Sequence, residues 1–415
     1  MDEDLIDDAT LSLDRKSRLP GTGFFYPNSL ESDRDDGRTA AAVEGAEVVV
    51  VTDSDADGLA CVALIREAYG EAVDPEPFER IRRAHADPTR DNDDLDPAML
   101  AAEADNVAVS EGELQADSPV ALVPAGPHSL GDQLRRTAEH AEPGVDLFVC
   151  DICPDTIESV EPALSTLSDR ASSIEWFDHH QWDESTAAAV RNRGVELVVG
   201  DSDAECSADV TLRSLDYEFP ERFETLATVT RDHDLWLKED ERSEDLADYS
   251  FWSAPAEYAA VVGAYGVDLP EPVREYVATR REEKNALIDK AVARAEHHEV
   301  GPWTVGVTYG RCSQNEVAER LREQGADAAV VVKPSGSASI RGSDGFERAH
   351  EVAGQVNGGG HPQAAGCKPE IYDDMLDVAR HWTSEGEAAK RVILAAFERV
   401  AASEANETEP AAADD

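Results

Sequence analysis

The feature that most constrains this chain is a series of short apolar runs, each closing on a polar turn and leading into a helical pattern. They are Glu47–Thr52 (EVVVVT), Val120–Pro124 (VALVP), Asp146–Asp151 (DLFVCD), Ser173–Phe177 (SIEWF) and Val195–Gly200 (VELVVG). A strand with one wet face alternates polar and apolar residues, whereas a run apolar at nearly every position is covered on both faces. Joined by helices, such runs specify an α/β fold with a parallel sheet between helical layers. Ligands of open sheets gather at the carboxyl ends of the strands. The chemistry is therefore expected in the turns.

At 415 residues the chain is too long for one ordinary core, which predicts two domains. Residues 1–44 lack sustained periodicity and read as an extension. The first α/β domain spans 45–265, with an acidic, weakly periodic insertion at about 72–118. A charged helical connector covers 266–300, its helical pattern running from Pro270 to His298. A smaller α/β domain follows at 301–385: strand Trp303–Tyr309, helix Gln314–Gln324, strands Ala328–Val332 and Ser337–Arg341, and helix Glu347–Val356. The segment 386–415 carries one more amphipathic helix, Ala388–Val400, and then ASEANETEPAAADD, too polar to pack and expected to be disordered.

Charge narrows the partners. The net charge is −51, from 88 acidic against 37 basic residues, which argues against broad sequence-independent duplex binding. A phosphate ligand held by metals and a few arginines remains compatible with it. Lysine occurs only at 16, 238, 284, 290, 333, 368 and 390. An acidic, lysine-poor surface suits a halophilic protein, whose self-repulsion is screened by salt. No stretch approaches the roughly 20 apolar residues of a membrane helix. The start MDEDLIDD is not a secretory signal, so a cytoplasmic location is expected. Cys150 and Cys153 have a C-x-x-C spacing, but no second pair exists to complete a zinc site.

The first apolar run enters Asp53-Ser-Asp55-Ala-Asp57-Gly58. Three carboxylates at alternate positions repel one another without a cation, and such clusters hold hard divalent ions. An EF-hand loop also begins D-x-D-x-D-G, but it would need Glu where Leu64 stands, and a helix rather than a valine strand before it. Further on, Asp151 closes the third run, Asp178-His179-His180 the fourth, and the apolar LATVT leads to Arg231-Asp232-His233-Asp234-Leu235-Trp236. Singly, each has a dull explanation as a helix cap or structural histidine. Together they offer Asp and His toward one edge of the sheet.

In this order DSDADG, the Asp of VCDICPD, DHH and RDHDLW resemble the four motifs of the DHH phosphoesterase family. Ser339-Ile-Arg341-Gly and Asn357-Gly-Gly-Gly-His361-Pro-Gln-Ala-Ala-Gly366 resemble its DHH-associated domain, so the resemblance covers roughly residues 46–370. It implies two Mn²⁺ ions, with Mg²⁺ as the alternative. Asp55 and Asp57 would bind one ion each, Asp151 would bridge them, and His179 and Asp232 would complete the second site. Asp53 would support the first directly or through water. Asp234 competes with Asp232, which is favoured because it follows the apolar run more closely. Asp178 would hold His179 in its tautomer, and His180 would face the substrate phosphate as acid or charge stabiliser. Two such ions lower the pKa of a shared water and neutralise phosphate oxygens.

In the second domain, Gly358, Gly359 and Gly360 would let the backbone approach a phosphate, while Arg341 and His361 donate to it. Asn315 and Lys333 are further candidate contacts. The substrate is expected in a cleft between the domains. The resemblance favours a RecJ-like exonuclease on single-stranded DNA or RNA, since VVVVT lacks the His that small-substrate relatives place before the aspartates. The alternatives are a phosphodiesterase of short oligonucleotides or cyclic dinucleotides, and a metal-free binding module at replication forks. A replication or repair protein would be the natural partner.

Overall fold

The computed structural model describes residues 28–86, 118–127, 129–154 and 156–408. The chain forms two compact units that divide between Thr279 and Arg280.

The first unit is built on five parallel strands: β1 (Val48–Thr52), β2 (Val120–Pro124), β3 (Asp146–Cys150), β4 (Ser173–Asp178) and β5 (Glu196–Val199). Their order is β2-β1-β3-β4-β5. The β1 valines show why an unbroken apolar run is required. Val48 and Val50 enter one core and Val49 and Val51 another, and all four are buried. Each buried valine contributes on the order of 1.5–3 kcal/mol relative to exposure.

On one face lie α1 (Asn28–Val43), α4 (Leu130–His140), α5 (Ile157–Arg170) and α6 (Glu184–Arg191). On the other lie α2 (Ala56–Ala68), α7 (Ser207–Ser214), α8 (Glu221–Asp234), α9 (Arg242–Trp252) and α10 (Pro255–Tyr265), with the start of α11 (Glu271–Ala293). The order reverses between β1 and β3, so their carboxyl ends flank the switch point of the sheet.

The second unit carries a mixed six-stranded sheet in the order β10-β11-β9-β8-β7-β6. Its strands are β6 (Glu296–Val300), β7 (Trp303–Tyr309), β8 (Ala328–Val332), β9 (Ala338–Gly342), β10 (Gly358–Gly360) and β11 (Ala364–Cys367). The end of α11 and α12 (Gln314–Glu323) cover one face. The other packs against α13 (Ala349–Gly354) and α15 (Glu387–Thr408), and α14 (Met375–Thr383) precedes α15.

Several expectations need correction. The extension contains α1, which seats Val43 in the core; its polar exposed side hides the periodicity. The insertion begins with α3 (Glu76–Ala86), while residues 87–117 lie outside the described ones. This charged helix is pinned by Arg82, which donates to both oxygens of Glu257 at 2.7 Å beneath the Tyr276 ring. The connector helix stops at Ala293, and EHHEV becomes edge strand β6 because β7 offers it an antiparallel ladder. Strands β10 and β11 and helix α14 were not anticipated. The last helix reaches Thr408, into the tail expected to be disordered; residues 409–415 lie outside the described ones.

Candidate metal centre

Because β1, β3 and β4 are adjacent and parallel, the turns after them open on one edge. The turn after β1 starts α2. Asp55 is its N-cap, accepting from the Asp57 and Gly58 amides at 3.0 and 3.1 Å. Asp57, in the first turn, is 1% exposed. Its carboxylate accepts from the Ser207 and Ala208 amides at 2.7 and 2.8 Å, where the start of α7 favours negative charge. Gly58 is dictated by space, since a Cβ there would lie 2.5 Å from the Asp53 carbonyl and the Thr52 hydroxyl.

After β3 the backbone of Asp151 turns left-handed, with φ at 55°. Asp tolerates this conformation better than most residues, and such strain gathers at functional sites. Asp151 accepts from the Ser207 hydroxyl at 3.0 Å. After β4, His179 is buried and its Nε2 lies 3.3 Å from Asp234, 3.8 Å from Asp151 and 3.9 Å from Asp57. At this edge two sets of potential ligand atoms each fall within 4.8 Å: Asp57, His179 and Asp234, and Asp151, His179 and His180. Asp55 adds its charge to Asp57, Asp151 and Asp234. Oδ2 of Asp234 is buried without a hydrogen-bond donor.

The electrostatics are those of an acidic nest. Burial, with Asp55 next, pushes the Asp57 carboxyl up to about 6. Burial and Asp57 push Asp234 up to about 7, opposed by His179. Asp151 is raised by burial and by Asp55 and Asp57. Burial disfavours a charged His180, yet the hydrogen bond and charge of Asp178 carry the ring up to about 9.

Two of the predicted site residues lie elsewhere than expected. Asp232 faces away from the cluster: it accepts from the Glu239 and Asp240 amides at 2.7 and 3.3 Å, fixing the loop after α8. Although burial acts against it, these bonds and Ser243 hold its carboxyl below the usual range. The apolar run before it is helical, so Asp234, two residues on, turns toward His179. Asp178 does not hold the His179 ring. Its Oδ1 accepts from Nδ1 of His180 at 2.7 Å and from the backbone amides of both histidines, and its Oδ2 takes the Trp182 indole N–H at 2.7 Å. A carboxylate folded over its own turn reaches the ring two residues on, and Nδ1 of His179 stays without a partner.

Asp53 bonds the Ser54 amide and joins neither ligand set. Ser207 was missed, as nothing in CSADV marks it beyond an ordinary helix start.

In the second unit, Arg341 on β9 donates from Nε to Asn315 at 2.8 Å and from Nη1 to the Ile340 and Ala365 carbonyls. Its guanidinium is fixed, with Arg322 acting on it nearby. Gly358 and Gly360 are required by the hairpin itself: added Cβ atoms would lie 2.1 Å from the Gly366 carbonyl and 2.6 Å from the Ala364 carbonyl. Gly359 alone of the three faces open space. His361 is exposed on the turn between β10 and β11. Lys333 lies just past β8.

Fold and site together define an α/β protein with a candidate cation centre of carboxylates and imidazole at the switch point of a parallel sheet. All four motifs that resemble the DHH family end at this edge. No protein-family model and no curated protein matches the chain. Among solved structures it is similar to RecJ in complex with Mn²⁺ from Thermus thermophilus, at 15% identity and a TM-score of 0.49. That match covers 89% of this chain and 55% of the other. It is similar to an exonuclease RecJ bound to manganese, at 13% identity and a TM-score of 0.46, covering 86% and 94% of the two chains. A DHH domain from a member of a family of ribosomal proteins matches at 15% identity and a TM-score of 0.47, covering 86% and 91%. No helix among the described residues is long and apolar enough to cross a membrane.

Proposed function

We propose that the chain is a DHH-family phosphoesterase that uses divalent metal to hydrolyse phosphodiester bonds in single-stranded nucleic acid, as a RecJ-like exonuclease. The observation that carries this reading is the convergence of Asp57, Asp151, Asp234 and His179 around a buried carboxylate oxygen that has no donor. Such a set is tolerable only around a cation or with its members protonated. Carboxylates with one imidazole suit Mn²⁺ or Mg²⁺ better than Zn²⁺.

The residues that would hold the divalent ions are Asp55, Asp57, Asp151, His179 and Asp234. When bound, the ions lower the pKa of a water and neutralise phosphate oxygens. The remaining tasks fall to the protein. Asp178 holds Nδ1 of His180, which leaves Nε2 to donate to a phosphate or leaving oxygen. Ser207 and the α7 amides keep Asp57 and Asp151 in place. Arg341, His361 and the Gly359 backbone grip a second phosphate. The net charge of −51 fits a salt-rich cytoplasm.

Labelled single-stranded DNA and RNA, dinucleotides and cyclic dinucleotides, offered side by side with Mn²⁺ in high salt, test this reading. Metal-dependent release of mononucleotides from single strands is expected. Cleavage confined to dinucleotides or cyclic dinucleotides would replace the exonuclease with a small-substrate phosphodiesterase. Turnover of none of them would reject the enzyme.

A further inference from the structure

Helix α10 packs on α2. A Cβ added at Gly263 would lie 3.8 Å from that of Ala63, and Tyr258, Ala259, Val261 and Val262 share one core with α2. Tyr258 is 0% exposed, and its hydroxyl has no hydrogen-bond partner among the described residues. Its neighbour shows that this core can satisfy a tyrosine. Tyr249 on α9, with its ring centroid 5.6 Å from that of Tyr258, is as deeply buried, yet its hydroxyl donates to Glu257 at 2.8 Å. A buried hydroxyl left alone is destabilising, and in a native core it calls for a role or for a group outside the chain that completes it.

The acidic nest stands closest in charge to this hydroxyl. Burial, then Asp55 and Asp57 at the start of α2, push the Tyr258 phenol well above the ordinary tyrosine range, so its proton stays available to donate. The two carboxylates are already held by backbone. Asp57 accepts from the Ser207 and Ala208 amides, and Oδ1 of Asp55 accepts from those of Asp57 and Gly58. Hard divalent ions add oxygens of their own, since they keep part of their water shell, and outer donors that orient such a shell tune the affinity of the site.

We propose that Tyr258 is a positioning residue of the metal centre, its hydroxyl donating to an oxygen in the shell of the divalent ion that Asp55 and Asp57 help to hold. This rests on the metal-dependent reading above. Tyr258→Phe keeps the ring and removes only the hydroxyl, and its two expected effects differ in sign. Without metal it should unfold at the wild-type temperature or higher, because an unpaired polar group is gone. Calorimetric titration of the metal-free chain should show Mn²⁺ bound about three- to tenfold more weakly, the worth of one hydrogen bond. Tyr249→Phe is the control: it takes a donor from Glu257, so its metal-free midpoint should fall while its Mn²⁺ affinity stays that of wild type. A Tyr258→Phe chain with wild-type Mn²⁺ affinity, or with a metal-free midpoint lowered as in Tyr249→Phe, overturns the proposal. Wild type that takes up no Mn²⁺ would remove the centre itself, and this role with it.

Discussion

Asp232 and Asp234 stand about 200° apart around α8, so one carboxylate ties down a loop while the other enters the acidic nest. Sequence proximity to an apolar run could not separate them, because on a helix two residues two positions apart point to nearly opposite sides. Asp234→Asn should abolish Mn²⁺-dependent turnover and the Mn²⁺-induced rise in thermal midpoint. Asp232→Asn should leave the ligand set in place and lower the midpoint by loosening residues 236–240. Equal loss of the metal-induced rise in both variants would contradict the assignment. Asp151 allows a second prediction of opposite sign. In metal-free protein its charge is buried against Asp55 and Asp57, so Asp151→Asn should raise apo stability while eliminating turnover, a trade seen where sites store strain. Wild type should gain about 2.7 kcal/mol from metal at 100-fold over its dissociation constant, and the variant far less. A variant less stable than wild type without metal would show that Asp151 is not repelled there.

The turn between β1 and α2 was legible in the sequence because strand, acidic triplet and glycine follow one another within a few residues. Gly58 sits where the start of α2 passes over the end of β1, and its Cβ has no room. Gly58→Ala should cost about 1–3 kcal/mol in chemical denaturation, as for other overpacked sites, and should weaken metal binding with it. An unchanged denaturation midpoint would mean the turn can shift freely. The hairpin of β10 and β11 was illegible for the converse reason: glycine is depleted in strands, and GGGHPQAAG reads as a loop until its ladder to β9 is seen. Its three glycines now separate. Gly358→Ala and Gly360→Ala should destabilise the second unit, whereas Gly359→Ala should fold normally and raise KM for a phosphodiester substrate. A Gly359→Ala enzyme with wild-type KM would remove that backbone from the phosphate grip. Helix α3 was hidden in a similar way, since its anchor is an ion pair between Arg82 and Glu257, 175 residues apart in sequence.

Across the chain, 88 acidic residues face 37 basic ones, and among the described residues most Arg and Lys ion pairs that offset them keep at least one partner exposed. Arg135–Glu139, for example, leaves the two side chains 46% and 51% accessible. Such pairs contribute about 0–1 kcal/mol each, too little to cancel the mutual repulsion of a surface this acidic. Screening is the larger lever: the Debye length falls from about 10 Å at 0.1 M salt to about 3 Å at 1 M. The thermal midpoint should therefore climb steeply between these concentrations and flatten above them, once the screening distance drops below the spacing of neighbouring carboxylates. Gluconate salts should reproduce this climb as well as halides do, because screening depends on ionic strength and not on which anion supplies it. A midpoint flat across that range, measured by calorimetry in gluconate, would show that self-repulsion does not limit this fold.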